Sequence, residues 1–338
     1  MGRAALALAR EGIVLVFGDR VRGGAMSGFI AGPGRWRAVE DVAVAAIYDR
    51  FAWRWEPARY QAILAELEGP AGRLPVANPP GLMHLCQDKL ATQRLAEQLG
   101  IPVPAVESDP GRFAARLADW SVAFVKPRFG TAGRGVVRIA LENQPGDETG
   151  VCRALSLVAE LPGCLEALER VRGPEATVDG PLFLQRAVPP PDGFRGVCVR
   201  VNMQRVAASS DPGGDSWHAN PGVARRSIGD WVVNAARGAD VAPADDVLSP
   251  ATLQAIHGIC RQLCMSLAGQ PEGEWLVELG FDLVLDCEFA PWLLEINSRP
   301  LGRLAALAEL DPERFGAAHL EACMRPLRYL ARRAARTW

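Results

Sequence analysis

One stretch near the C-terminal end, WLVELGFDLVLDCEFAPWLLEINSRP (residues 275–300), carries the clearest pattern in the sequence. Two runs of apolar residues, with β-branched and aromatic members, flank a short polar segment at 286–288, and this pattern predicts a β-hairpin with buried or half-buried strands. Polar side chains interrupt both runs, with Asp282 in the first and Glu295 and Asn297 in the second. Because Glu295 and Asn297 are two residues apart, their side chains leave the same face of a strand.

The three polar side chains bring oxygen atoms to one side of the predicted hairpin. Hard divalent cations such as Mg²⁺ prefer oxygen ligands and use few protein carboxylates when substrate phosphates complete the coordination shell. The alternative is that Asp282 and Glu295 are solvated positions on an exposed sheet face. The strongly apolar neighbours favour burial, and a buried carboxylate needs a metal ion or another cation as its partner. The hairpin therefore predicts a metal site made of Asp282, Glu295 and Asn297.

The composition is that of an ordinary globular chain. Its 338 residues carry a formal net charge of −2 and are 49% hydrophobic, which suits two or three subdomains with a substantial core. The near-neutral charge argues against a nucleic-acid partner. No apolar run reaches the roughly 18 residues of a membrane span, so no membrane partner is expected. The first residues predict a helix or tail followed by a strand, and not an export signal.

The cysteines and histidines exclude some kinds of site. The 8 cysteines are scattered without a C-x-x-C pair, so we expect buried thiols and a reducing, cytoplasmic location. The 4 histidines form no H-E-x-x-H pattern, which argues against a zinc hydrolase.

A second informative stretch is VAFVKPRFGTAGRGVVRI, residues 122–139. A strand that carries Lys126 is followed by a loop with Gly130, Gly133 and Gly135 and then by another strand. Glycines allow backbone N–H groups to approach anionic oxygens closely, and a lysine adds a point charge for phosphates. The tip of this hairpin is therefore a candidate phosphate-binding loop. The alternative is a hairpin loop that is merely flexible.

The remaining periodic segments predict helices and strands in alternation. The helix at 88–99 begins beside Lys89 and ends at Gly100, and the helix at 249–268 is capped by Ser249. The other predicted elements are strands at 13–17, 39–48, 182–188 and 193–206, and helices at 54–67, within 140–180 and from 301 onward.

The segments ELGFDLVLD and WLLEINSRP resemble the metal-binding hairpin of ATP-grasp proteins, most nearly the YheC/YheD-like branch, with the RimK-type ligases next. The resemblance implies an α/β (α+β) ATP-grasp fold, in which two α+β subdomains grip ATP after a small α/β N-terminal domain. The implied domains are residues 1–84 for the N-terminal domain, 85–188 for the ATP-grasp lobe with the glycine-loop hairpin, and 189–338 for the C-terminal lobe with the metal hairpin and terminal helices.

The resemblance also implies roles for individual residues. The matching metal ligands are Asp282, Glu295 and Asn297, which would hold one or two Mg²⁺ ions, with Mn²⁺ as an alternative. Arg225, Arg195 and Asn234 would act near the γ-phosphate and the reacting carboxylate. The implied ATP-binding residues are Lys89, Lys126, Gly130, Thr131, Ala132, Gly133 and Gly135 at the phosphates, and Gln185, Arg186, Ala187 and Val188 at the adenine.

The implied activity is that of an ATP-dependent, ADP-forming carboxylate–amine ligase that acts through an acyl phosphate on an amino acid or a peptide-like acid. Its partners would be a small-molecule carboxylate and an amine, and a homodimer remains open. Two alternatives also remain open. One is a non-catalytic ATP-binding or structural protein, like the spore-coat-associated members of this branch. The other is a small-molecule kinase with the same fold.

Overall fold

The computed structural model describes residues 2–51, 57–69, 72–130, 135–141, 181–207, 215–234, 238–300 and 304–336. Within these ranges the α-helices are α1 Gly2–Arg10, α2 Pro57–Glu66, α3 Pro80–Gln87, α4 Lys89–Gln98, α5 Phe113–Trp120, α6 Pro250–Ala268, α7 Leu304–Leu310 and α8 Pro312–Ala334. The two helices predicted within 140–180 fall almost wholly outside the described residues.

The strands form sheets that are mostly antiparallel. In chain order they are β1 Phe17–Arg22, β2 Ala25–Gly32, β3 Arg35–Ala43, β4 Ile47–Tyr48, β5 Glu68–Gly69, β6 Gly72–Arg73, β7 Val76–Ala77, β8 Val106–Glu107, β9 Val122–Pro127, β10 Val137–Ala140, β11 Leu182–Arg186, β12 Gly196–Val206, β13 Ser216–Ala219, β14 Val223–Ser227, β15 Asp240–Pro243, β16 Glu278–Leu285 and β17 Pro291–Asn297.

Two sheets position the functional side chains. The larger has six strands in the order β15-β14-β12-β16-β17, with β13 also paired to β12, and the smaller has the order β10-β9-β11-β8. The predicted hairpin is therefore β16 and β17, at one edge of the larger sheet. The predicted glycine-loop hairpin is β9 and β10, which pair antiparallel in the smaller sheet.

Alternation along the central strands separates a core face from a polar face. In β12, Val197, Val199 and Val201 belong to the main hydrophobic core. The same core holds Leu279, Phe281, Leu283 and Leu285 of β16 and the α6 residues Ile256, Cys260, Leu263, Cys264 and Leu267. Side chains two residues apart share a face, so the even-numbered positions of β12 and β16 point away from this core. Helix α6 thus covers one side of the sheet and leaves the other side for polar groups.

A β-bulge shapes the edge hairpin. Asp282 pairs with Glu295 and Leu283 pairs with Leu293, so β17 contains one extra residue between these pairs. The extra residue shifts the alternation of side chains between the two faces of the strand. As a result Leu293 and Ile296, which are three residues apart, both enter the core.

Side chains cap the first turns of α4 and α6, at Asp88, which was not predicted as a cap, and at Ser249, which was. The Asp88 side chain accepts hydrogen bonds from the backbone N–H groups of Leu90 and Ala91, both at 3.1 Å, at the start of α4. The Ser249 hydroxyl accepts one from Thr252 N–H at 3.1 Å at the start of α6. These bonds satisfy N–H groups that have no partner inside the helix.

The N-terminal part departs from two strand predictions. Residues 13–16 have no regular secondary structure, and β1 begins only at Phe17. Ile13 and Leu15 instead pack against a cluster formed by α1 and α8, so helix packing uses the apolar run that had suggested a strand. The strand predicted at 39–48 is divided into the end of β3 and the separate β4.

No helix in the described ranges combines the length and the apolar character that a bilayer crossing requires.

The buried side chain of Asn78 attaches the N-terminal part of the chain to the edge hairpin. Its Nδ2 donates to the carbonyl oxygens of Glu278 and Ser298 at 2.6 and 2.5 Å, and its Oδ1 accepts from Val277 N–H at 2.8 Å. One side chain therefore satisfies backbone groups beside both strands of the hairpin.

We expect Asn78→Ala to lower the free energy of unfolding by about 2–4 kcal/mol, because it leaves several buried backbone groups without partners. The matched control is Gln262→Ala, which removes a single exposed hydrogen bond to Leu99 O and should cost about 1 kcal/mol or less. Urea denaturation of both variants measures the difference. Equal losses would show that Asn78 does not attach the N-terminal part to the hairpin.

Candidate functional site

A cavity of about 640 Å³ lies between the two sheets, and residues of β9, β10, β11, β12, β14, β16 and β17 line it. It brings together most of the site residues predicted from the sequence. Those on its wall are Lys89, Lys126, Gly130, Gln185, Arg186, Ala187, Val188, Arg195, Arg225, Asn234, Asp282, Glu295 and Asn297. Gly135 is not on the wall. Thr131, Ala132 and Gly133 lie outside the described residues.

The three predicted metal ligands meet on the cavity face of the edge hairpin. Asp282 and Glu295 are direct cross-strand neighbours. The Asn297 Nδ2 donates to Asp282 Oδ2 and to Glu295 Oε1, both at 3.3 Å. Two carboxylates and one amide therefore lie within hydrogen-bonding distance of one another.

Asp282 is held by two arginines from the neighbouring strands. Arg200 of β12 binds it with two nitrogens, with Nε 2.6 Å from Oδ1 and Nη2 on Oδ2. Arg225 of β14 adds Nη2 at 2.5 Å from the same Oδ1. The Asp282 side chain retains 6% of its accessible surface. The buried carboxylate thus has the cationic partners that the sequence required of it, and in this structure they are guanidinium groups.

The two carboxylates differ in their electrostatics. Burial acts to raise the pKa of Asp282, but the positive charges of Arg200 and Arg225 outweigh it and hold that pKa well below the usual range. Burial, followed by the negative charge of Asp282, raises the pKa of Glu295 above its usual value. Like charges in close proximity disfavour joint ionisation, so Glu295 is the carboxyl that gains most from an added cation.

The donor set fits a hard cation that also binds a polyphosphate. No group of three or more His, Cys, Asp or Glu side chains in the described ranges could hold a metal ion by itself. Two carboxylates and an amide oxygen are still suitable ligands for Mg²⁺, which keeps several positions for water and phosphate oxygens.

Two lysine side chains also lie on the cavity wall. Lys89 Nζ donates to Pro127 O at 3.2 Å and to Gly130 O at 2.9 Å, at the start of the glycine loop. Lys126 Nζ donates to Gln185 Oε1. Burial, against a smaller opposing effect of Glu295, lowers the pKa of Lys126 to about 8. Two ammonium groups thus face the same cavity as the hairpin carboxylates.

At another part of the wall, a tryptophan in the segment after β14 contacts two arginines. The Arg138 guanidinium of β10 lies 4.0 Å from the centre of the Trp231 ring, and that of Arg195 lies 5.3 Å from it. The Nε of Arg138 is buried and has no hydrogen-bond partner in the described part of the chain. Cation–π contact is the main interaction left to this group.

The sequence predictions omitted several of these residues. Arg200, Trp231, Arg138 and Arg299 all line the cavity. The signal for Arg200 was available, because it stands between Val199 and Val201 in an alternating strand and must face away from the core. Trp231 and Arg138 gave no such signal, since their contact joins β10 to a segment outside the strands that is distant in sequence.

Comparison with known proteins identifies the family of this chain. The profile of the family described as YheC/D like ATP-grasp matches residues 92–329, well over half of the chain. The chain belongs to the YheC/D-like ATP-grasp family. A search of curated proteins finds no significant match.

Solved structures show that this YheC/D-like protein has the ATP-grasp fold. D-alanyl-alanine synthetase A from Vibrio cholerae is 11% identical with a TM-score of 0.52, and the match covers 96% of this chain and 93% of that chain. An ADP-bound RiPP-associated ATP-grasp ligase from Chryseobacterium gregarium is 13% identical with a TM-score of 0.52. The match covers 94% of this chain and 91% of that chain.

A shorter match is to a carboxyaminoimidazole ribonucleotide synthase from Aspergillus clavatus complexed with ATP. It is 16% identical with a TM-score of 0.46, and the match covers 74% of this chain and 53% of that chain. The YheC/D-like chain thus spans about half the length of that protein.

We expect the two hairpin carboxylates of this YheC/D-like protein to differ in their effect on stability. Asp282→Asn should lower the free energy of unfolding by about 3–5 kcal/mol, because it leaves two buried guanidinium groups without their counter-charge. Glu295→Gln should change it by about 1 kcal/mol or less, because burial and Asp282 already disfavour the Glu295 charge. Urea denaturation at pH 7 compares the variants. An equal or larger loss for Glu295→Gln would contradict the assignment of Arg200 and Arg225 to Asp282.

Proposed function

We propose that the protein is an ATP-dependent, ADP-forming carboxylate–amine ligase that acts through an acyl phosphate. One observation supports this most directly. The cavity has lysines on one part of its wall and, on another, a carboxylate–amide cluster with arginines beside it. Such an arrangement suits phosphoryl transfer, which depends on positioning and charge neutralisation more than on covalent help from the protein.

The nucleotide would occupy the cavity of about 640 Å³. Lys89, Lys126 and the backbone of the glycine loop would bind the phosphates. The strand end and linker at 185–188 would line the adenine pocket, where backbone groups are available for the base edge. The RiPP-associated ATP-grasp ligase from Chryseobacterium gregarium binds ADP, which supports nucleotide binding here.

Asp282, Glu295 and Asn297 would hold one or two Mg²⁺ ions, with Mn²⁺ as a substitute. When bound, the metal would neutralise charge on the phosphate oxygens. The chain itself contributes the arrangement of the ligands, because the Arg200 and Arg225 contacts hold Asp282 ionised and Asn297 orients Glu295.

The reaction would then proceed in two balanced steps. A carboxylate oxygen of the substrate forms a bond to the γ-phosphorus, and the bond from that phosphorus to its bridging oxygen breaks, so that ADP leaves with the electron pair. The amine nitrogen next attacks the carbonyl carbon of the acyl phosphate. The carbon–oxygen bond to phosphate breaks, inorganic phosphate leaves, and the nitrogen releases a proton to solvent.

Arg225 and Arg195 would stabilise the charge that develops during these steps. Arg225 has N–H donors beyond the one that contacts Asp282, and both arginines lie on the cavity wall. Asn234, which is buried on the same wall, would position the reacting carboxylate. The acid is an amino acid or a peptide-like acid in this proposal.

Glu295→Gln tests the proposal because it replaces a charged metal-binding carboxylate by a neutral amide, with little expected effect on folding. We expect kcat for ADP release, with an amino acid and peptide mixture as substrate, to fall by about 10³-fold or more. The matched control is Glu288→Gln, which changes an exposed acid in the turn of the same hairpin, and should retain wild-type activity. Unchanged ADP release by Glu295→Gln would contradict the proposed site, and accumulation of a stable phosphoester would indicate a kinase instead.

The low pKa of Lys126 predicts proton uptake on nucleotide binding. Burial favours the neutral amine above pH 8, whereas contact with a polyphosphate favours the charged ammonium and raises the pKa again. At pH 8.5 we expect an ATP analogue to bind with uptake of about half to one proton per site, and less at pH 7. Calorimetric titrations in buffers with different ionisation enthalpies measure this number.

The control for this prediction is Lys126→Arg, because a guanidinium stays charged at both pH values. The variant should show no extra proton uptake at pH 8.5. Identical uptake in the variant and the wild type would exclude Lys126 as its source.

A further inference from the structure

A second, smaller pocket adjoins the nucleotide cavity on the same face of the six-stranded sheet. Its volume is about 140 Å³, and Arg200 lines both it and the larger cavity. Its walls come from the N-terminal part of the chain (Tyr48, Arg50), from β12 and β16, and from the C-terminal helices. The pocket is therefore formed by parts of the chain that are far apart in sequence, beside the arginine that contacts Asp282.

The register of the strands places the polar groups of this pocket in a row. Arg200 is paired with Asp282, Asn202 with Gly280, and Gln204 with Glu278. Side chains at these alternate positions leave the sheet on one face. In the middle of the row β16 contributes no side chain, because residue 280 is a glycine. A Cβ atom added at Gly280 would lie 2.7 Å from Pro300 Cβ.

The two ends of the row carry opposite charge. At one end, the Nη1 nitrogen of Arg200 makes no hydrogen bond within the described part of the chain, while Nε and Nη2 bind Asp282. At the other end is the Glu278 carboxylate, which is 4% exposed. Glu278 accepts three hydrogen bonds, from Tyr48, Arg50 and Gln204. A carboxylate has about four acceptor positions, so one acceptor position remains.

The middle of the row also lacks a hydrogen-bond donor. The Oδ1 atom of Asn202 is buried and accepts no hydrogen bond in the described ranges. Buried acceptors are normally satisfied, and N–H groups of a bound molecule would supply the missing donors. The rest of the lining includes Val223, Leu304 and Ala322, which offer apolar contact for a short side chain.

We propose that this pocket binds a small zwitterionic amino acid as the acid substrate of the ligase, with its carboxylate toward Arg200 and its ammonium toward Asn202 and Glu278. This inference rests on the proposed function, because it places the carboxylate on the side of the pocket that borders the nucleotide cavity. The pocket volume of about 140 Å³ equals that of roughly five water molecules in the liquid. This size suits glycine, alanine or serine better than phenylalanine or tryptophan.

The test uses the full chain with Mg²⁺ and measures two quantities independently. Calorimetry measures the affinity for a non-hydrolysable ATP analogue. ADP release measures the response to a panel of glycine, both enantiomers of alanine, serine, β-alanine, phenylalanine and tryptophan, each with hydroxylamine as the amine. Propionate and ethylamine serve as alanine analogues that lack one of the two charges.

We expect one or more of the small amino acids to stimulate ADP release with saturation, and the aromatic ones to give none. Propionate should need at least about tenfold higher concentration, because it lacks the charged group that Glu278 would bind. Ala322→Leu, which fills the pocket from α8, and Glu278→Gln should each raise KM for the amino acid by about 10- to 100-fold. Both should keep the affinity for the ATP analogue within about twofold of wild type, and Glu288→Gln should match wild type in both measurements.

The outcomes separate the two proposals. If the ATP analogue binds but no small amino acid stimulates ADP release, the amino-acid pocket is wrong and the proposed nucleotide site stands. Equal use of alanine and phenylalanine, or an unchanged KM in a folded Glu278→Gln or Ala322→Leu variant, also overturns the pocket. If the ATP analogue does not bind, the proposed function fails and the pocket assignment fails with it. Glu278→Gln provides the test if Ala322→Leu does not fold.

Discussion

The structure depends on the burial of one negative charge, the carboxylate of Asp282, in a strand whose other face is the hydrophobic core. A buried carboxylate without a partner would cost several kcal/mol. Two guanidinium groups, Arg200 and Arg225, stabilise it, and they come from the next two strands of the sheet. The order β14-β12-β16-β17 is the arrangement that places both arginines and Glu295 around Asp282. The electrostatics of the site therefore follow from the strand order.

The hairpin also connects distant parts of the chain. Arg299, just after β17, binds Asp49 and the hydroxyl of Tyr60 in the N-terminal part. Asn78 binds backbone groups beside both hairpin strands. The smaller pocket is bounded by this same N-terminal part. We propose that residues 1–84, 85–188 and 189–338 act as three units. The edge hairpin belongs to the third unit, and the first unit contacts it.

The features that could be predicted from the sequence are those set by local patterns. The hairpin, the shared face of Glu295 and Asn297, the capped helices and the strand with Lys126 all arise from periodicity or from turn chemistry within short segments. The resemblance to ATP-grasp proteins added the roles of Arg225 and Asn234, both of which the structure places on the cavity wall.

The remaining features depend on long-range register, which periodicity does not contain. Arg200 faces Asp282 because β12 pairs with β16 across about eighty residues of sequence. The contact between Arg138 and Trp231 joins β10 to the segment after β14. The apolar run at 13–17 suggested a strand, but β1 begins only at Phe17, and Ile13 and Leu15 pack on α1 and α8 instead. In each case the partner that decides the structure lies far away in the chain.

The most direct measurement of the central claim is a crystal structure of the protein with Mn²⁺ and a non-hydrolysable ATP analogue, with the anomalous signal of manganese recorded. We expect an anomalous peak within coordination distance of the Asp282, Glu295 and Asn297 oxygens, with phosphate oxygens completing the shell. A bound nucleotide whose metal lies elsewhere, with Asp282 still bonded to Arg200 and Arg225 and to no metal ion, would contradict this claim.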